Sequence, residues 1–152
     1  PRFLETREYE PLPSVATLSN AMDVGSPSNF VRILELFHND IDRLDETLSA
    51  ASIDDRLTAE TMLEVYQETG YILHAHGAVG YRCLDAHLER NSDARGFFLE
   101  TAHPVKFDSV SEIIGRKVDV PPSLAYLASR EKQSIEVQNK YTEIKEILLN
   151  RL

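Results

Sequence analysis

The chain has 152 residues, with hydrophobic residues at 42%, charged residues at 27% and a formal net charge of −9. That is enough length for one domain with a sizeable core, and the acidic balance with scattered Lys and Arg argues against a nucleic-acid or anionic-membrane surface. No apolar stretch approaches the roughly 20 residues that span a bilayer, and the single cysteine, Cys83, excludes an internal disulfide and makes a reducing cytoplasm the default location.

Residues 1–16 carry prolines and charges and read as irregular connecting chain, with one short extended piece at 15–18. The start at Pro1, without an initiator Met, suggests a cut or shortened piece of a longer polypeptide. Residues 19–28 crowd turn formers together: Asn20, Asp23, Gly25, Ser26, Pro27 and Ser28. Ser28 or Asn29 can cap the helix that follows. Phe30, Ile33, Leu34, Phe37, Ile41, Leu44 and Leu48 then recur on one helical face, and Asn39-Asp40 kinks or divides the run.

Residues 49–53 read as a short strand. Ser52 and Asp55 suggest a capping-box variant that opens a helix through Thr69, with Met62, Val65 and Tyr66 inward and Gly70 as its left-handed stop. After a short apolar link at 71–73, residues 76–90 are helical, with Gly77, Gly80, Leu84 and Leu88 on one side. Glycine inside a helix costs about 1 kcal/mol against alanine. Two of them near the first turn therefore imply a close approach by another backbone or a ligand.

Residues 91–95 form a polar loop and residues 96–101 a strand built on Phe97, Phe98 and Leu99. His103-Pro104 breaks that run, and a helix over 105–114 is stopped by Gly115. Pro121-Pro122 opens a short helix to about Ala128. A polar connector covers 130–137, and Asn139 caps a last helix with Tyr141, Ile144, Ile147, Leu148 and Leu152 inward. Helices alternating with a few strands spell an α/β class. The expected divisions are a connecting segment and loop at 1–28, an α/β part at 29–120 and C-terminal helices at 121–152.

Three segments carry a family resemblance: residues 17–30 (TLSNAMDVGSPSNF), residues 76–81 (HGAVGY) and residues 96–107 (GFFLETAHPVKF). Together and in this order they resemble threonine synthase, a family of pyridoxal 5'-phosphate (PLP) enzymes of the tryptophan-synthase-β fold group. The resemblance covers only the C-terminal part of that family. It implies a helix-rich portion of a fold-type-II enzyme that lends a few strands to an open sheet.

In that group a Ser or Thr hydroxyl faces the pyridine nitrogen of the cofactor, and the resemblance puts Thr101 in this place. A hydroxyl cannot hold a full proton there as a carboxylate would, so the ring stays nearer neutral and its strength as an electron sink is tuned. Glu100 is adjacent, but alternation along a strand turns it to the opposite face. The loop at 19–29 is placed beside the cleft, without a catalytic role for any of its side chains. Most members of the family have Asp-Pro where this chain has His74-Ala75, a departure expected to loosen the start of the following helix.

Other chemistry is thinly represented. His74 and His76, or Cys83 and His87, have the spacing of ligand pairs but lack a third and fourth ligand, so no metal is expected. His103 reads as a turn residue, and no carboxylate pair stands out as an acid–base couple. None of the lysines lies in a sequence resembling the family's Schiff-base motif, and no glycine-rich phosphate loop is present. No catalytic residue is therefore expected within these residues.

The resemblance implies a whole enzyme that converts O-phospho-L-homoserine and water into L-threonine and phosphate, in threonine biosynthesis. The piece alone would be inactive. Its partners would be that substrate, the remainder of the same polypeptide and a second copy through an uncovered apolar edge. Two alternatives share the motifs: a threonine-synthase-like phospho-lyase, and a non-enzymatic acidic α/β interaction domain.

Overall fold

The computed structural model describes residues 1–127 and 129–150 and divides the chain into two units, Pro1–Asp119 and Val120–Leu152. The first unit contains α1 (Arg2–Thr6), α2 (Phe30–Leu36), α3 (Ile41–Thr47), α4 (Asp55–Thr69), α5 (Ala75–Arg90) and α6 (Asp108–Ile114). The second contains a 3-10 turn at Pro122–Leu127 and α7 (Tyr141–Leu149).

No strand forms among the described residues, which corrects the expected α/β class and its contribution of strands to an open sheet. A strand is defined by a ladder of N–H and C=O groups shared with a neighbour. Residues 96–101 make no backbone hydrogen bond to another segment, and neither 15–18 nor 49–53 forms a ladder. The apolar run is present, but the pairing that would make it a strand is not. What survives is alternation: Phe98 and Glu100 are half-buried, whereas Phe97 and Leu99 are 84% and 70% exposed.

Helix α4 organises the first unit. Asp54 caps it, its carboxylate accepting the Leu57 N–H at 2.7 Å, and Asp55 adds a negative charge to the positive end of the helix. The cap is thus Asp54, not the expected pair of Ser52 and Asp55. Gly70 ends the helix at φ 75, where its N–H reaches the Tyr66 carbonyl, as the left-handed stop requires. Met62 and Val65 face inward together with Thr58 and Thr61. Both threonine hydroxyls donate to carbonyls one turn back at 2.8 Å, so their burial strands no polar group.

Helices α5 and α6 pack on α4. The core they enclose consists of Met62, Val65, Leu73, Ala75, Ala78, Val110, Ile114 and Val118. Gly115 stops α6 at φ 66, also in the left-handed region.

Residues 1–48 are arranged differently. The apolar run divides at His38 and Asn39, both at positive φ, and Asp40 caps α3 by accepting the Arg43 N–H at 3.1 Å. Asn29 precedes α2 without a side-chain cap. Helix α1, not anticipated in an irregular segment, rests on α2: Phe3 meets Phe30 edge-on at 4.8 Å, and Tyr9 stacks on Phe30 at 4.3 Å. Arg7 pairs with Asp42 at 2.7 Å.

In the second unit Lys140, not Asn139, precedes α7, and it makes no side-chain cap. Tyr141 and Leu148, expected inward, are exposed. The expected ends at Ala128 and Leu152 lie outside the described residues.

Candidate functional site

The first turn of α5 is the centre of the site. His74 sits at its N-cap, fully buried, and its Nδ1 accepts the Gly77 N–H at 3.2 Å. That acceptance puts the proton of the neutral ring on Nε2. Nε2 lies 2.7 Å from Glu100 Oε2 but makes no hydrogen bond. Burial pushes the Glu100 carboxyl up to about 7. Burial, with the charges of His76 and Lys106, pushes His74 down. Both groups are therefore driven toward their neutral forms. The His74-Ala75 departure from the family pattern thus supplies its own cap, a role the sequence reading missed.

The glycines of α5 explain the close approach. A Cβ on Gly77 would lie 1.8 Å from Glu100 Oε1, and one on Gly80 would lie 3.5 Å from Phe98 Cβ. Side chains at 98 and 100 thus seat the segment against the helix, and the carboxylate occupies the space that Gly77 leaves.

Thr101 turns the other way. It is exposed, and with Leu99 it lines a cavity of about 350 Å³ completed by Ser19, Met22, His76 and Val79. The opposite facing of Glu100 and Thr101 expected from alternation therefore holds without a sheet. The cavity brings together two residues from each of the three segments singled out in the sequence. Hydrogen bonds pin the loop that brings Ser19 and Met22. Asp23 accepts the Thr17 N–H at 3.0 Å and its hydroxyl at 2.6 Å, and these bonds hold the Asp23 carboxyl below its ordinary range. The Leu18 N–H donates to Asp55 at 3.1 Å, tying the loop to the start of α4.

His76 borders the cavity with both ring nitrogens buried and without a partner. Its ring centroid lies 5.1 Å from that of His74 and 5.4 Å from that of Phe107. His103 acts as the turn residue expected, its Nδ1 accepting the Val105 N–H at 3.2 Å. Cys83 and His87 lie further along α5 and do not reach this cavity. No group of three or more His, Cys, Asp or Glu side chains is placed to hold a metal among the described residues. A second cavity, of about 440 Å³, lies against α5 beside Gly96 and Phe97, but Asp85 is its sole ionisable lining residue apart from Tyr81.

Residues 77–148 match the family model described as threonine synthase, C-terminal. Threonine synthase from Escherichia coli K12 is 41% identical over 151 residues, which are 99% of this chain and 34% of that protein. Over nearly its whole length the chain is similar to threonine synthase. It corresponds to the C-terminal part and spans about a third of the length of the relatives it matches.

The crystal structure of threonine synthase from Escherichia coli superposes with a TM-score of 0.84 at 40% identity, covering 99% of this chain and 35% of that one. PLP-bound threonine synthase from Brucella melitensis gives 0.64 at 25% identity, covering 98% and 37%. Thr101 lies within the segment that matches the threonine synthase model, whereas Ser19, Met22 and His76 lie before it. All of them fall on the first unit, so the cavity does not depend on α7.

Proposed function

We propose that this chain is the C-terminal part of a PLP-dependent threonine synthase, a lyase that converts O-phospho-L-homoserine and water into L-threonine and phosphate. The observation that carries this reading is the meeting of three family-like segments in one small cavity that Thr101 lines. The residues present fit one edge of a pyridine ring. Met22, Val79 and Leu99 offer apolar walls, and Thr101 offers a hydroxyl at the end of its segment. Such a mix of apolar lining and few polar groups suits a small-molecule site.

In this reading the Thr101 hydroxyl would donate a hydrogen bond to the pyridine nitrogen and so help to orient the ring. PLP, when bound, supplies the electron sink for carbanion chemistry. The apolar side chains exclude water from the ring edge. The Schiff-base lysine and the phosphate loop belong to the remainder of the polypeptide, so the 152 residues alone are inactive. Membership of the fold-type-II group and a cytoplasmic location belong to the same reading, for the whole protein. No helix among the described residues is long and apolar enough to cross a membrane. The exposed Phe97 and Leu99 support contact with the rest of the polypeptide or, in the isolated chain, with a second copy.

The test is Thr101→Val in the intact protein. A net hydrogen bond is worth about 1 kcal/mol, and an unpaired buried partner costs about 1–3 kcal/mol. PLP affinity should therefore fall roughly tenfold to a hundredfold, with turnover falling as well. Glu100→Gln, on the opposite face, should bind PLP almost as the parent does. Parent-like PLP binding by Thr101→Val would refute the reading.

A further inference from the structure

We infer that Gly77 and Glu100 are a positioning pair for the Thr101 cavity: the notch that Gly77 leaves in α5 takes the Glu100 side chain, and this seat turns a hydroxyl rather than a carboxylate toward the bound ring. The inference rests on the PLP reading of the site. It adds the device that decides which side chain meets the pyridine nitrogen.

Alternate residues of 96–101 lie along α5. Gly96 lies against Leu84, where an added Cβ would be 2.4 Å from Leu84 Cδ1. Phe98 lies over Gly80 and meets Tyr81 edge-on at 5.7 Å. Glu100 lies over Gly77. The contacts thus step back along α5 about one turn at a time. Between them Phe97, Leu99 and Thr101 are exposed. No backbone hydrogen bond ties this segment to another within the chain, so side-chain seats set its register. A slip of one residue would exchange the two faces. Glu100 would then enter the cavity, and Thr101 would lie on α5.

That exchange changes the chemistry offered to the ring. A carboxylate beside the pyridine nitrogen favours its protonated form, whereas a hydroxyl leaves the ring nearer neutral.

One missing methyl makes the seat. A Cβ on Gly77 would come within 1.8 Å of Glu100 Oε1, 2.4 Å of Cδ and 2.9 Å of Oε2. An alanine would therefore displace the whole carboxyl. Oε1 is buried there without a hydrogen-bond partner, which costs stability. Proteins keep such costs where function requires them, and here the burial keeps a carboxylate out of the cavity.

The experiment uses the intact protein with PLP as the probe. Gly77→Ala evicts the carboxyl and shifts residue 100 together with its neighbour. It should raise the PLP dissociation constant about tenfold or more, the size of losing the Thr101 hydrogen bond. Gly77→Ala with Glu100→Ala removes the clashing atoms and should return most of the affinity. A merely structural role of Gly77 within α5 would give no such recovery. Glu100→Gln keeps the shape that fills the notch and should bind PLP almost as the parent does.

A folded Gly77→Ala with parent-like PLP affinity overturns the inference, even if it melts lower. The proposed site then stands as long as Thr101→Val binds weakly. If the double variant binds as weakly as Gly77→Ala, the loss comes from α5 itself and the inference fails. Weak binding by Glu100→Gln would make charge rather than shape the cause, and overturns it too. If Thr101→Val binds like the parent, the proposed site fails and the inference goes with it. Should Gly77→Ala not fold, Glu100→Tyr decides, because it overfills the notch and leaves α5 unaltered. Parent-like PLP affinity in that variant overturns the inference.

Discussion

Helices α2 and α3 have the most regular apolar spacing in the chain, yet Leu44 is their sole buried residue. Ile33 and Leu48, both on that apolar face, stand 36% and 41% exposed. Helix α4 has a less regular pattern, with threonines on its inner face, and it buries Thr58, Thr61, Met62 and Val65 under α5 and α6. An apolar stripe states what must be covered, not whether neighbouring chain covers it. Burial in this protein follows the tertiary neighbours of α4. The same holds for residues 96–101, whose inward side chains meet α5 and whose outward ones line the Thr101 cavity or face solvent.

The largest expected effect tests this contrast directly. Met62 is fully buried at the centre of the core. Met62→Ala should cost about 2–5 kcal/mol through lost transfer energy and a cavity. Chemical denaturation measures it. Should Leu36→Ala prove as costly, the two regions would not differ as described.

The second effect concerns charge buried beside α5. Glu100 titrates at about 7 against an ordinary 4.5. Below pH 4.5 its carboxyl is neutral in both folded and unfolded states. As pH rises toward 7 the unfolded chain releases the proton while the folded chain keeps it, so stability falls. The loss is at most about 3 kcal/mol and levels off above that range. Glu100→Gln cannot titrate, so its stability advantage over the parent should grow across this window and then hold. His74, pushed down, acts in the opposite sense, and the difference between parent and variant cancels it. Urea midpoints at a series of pH values would show the trend. A constant difference would mean that Glu100 is not buried as described.

Much of the architecture was legible where its cause is local. Gly70 and Gly115 stop their helices because each adopts a backbone conformation that other residues resist. The break at Asn39-Asp40 and the opposite facing of Glu100 and Thr101 also follow from neighbouring residues. That 15–18, 49–53 and 96–101 form no strand was not legible, because a ladder needs a distant partner, which local composition does not report. The burial of Glu100 depends on Gly77, far away in sequence, and the His74 cap depends on that same turn. Ser52 and Asp54 are both good caps by composition. The Asp54 bond to the Leu57 N–H decides between them.

That cap gives the third effect. Asp54→Ala should cost about 1 kcal/mol, because it orphans an N–H at the start of α4. Asn29→Ala, at the uncapped start of α2, should fall within about 0.5 kcal/mol of the parent. Thermal melting resolves the pair. Equal losses would show that α2 is capped after all. The smallest effect is Leu36→Ala itself, exposed on α2 and expected within about 0.5 kcal/mol of the parent.

The central claim is that the cavity around Thr101 receives the PLP ring. A crystal structure of the intact protein with PLP bound measures this most directly. The account predicts the Thr101 hydroxyl within hydrogen-bonding distance of the pyridine nitrogen, about 2.6–3.2 Å, with Ser19, Met22, His76, Val79 and Leu99 around the ring. A pyridine nitrogen facing Glu100 or another side chain, or a ring lying outside this cavity, would contradict it.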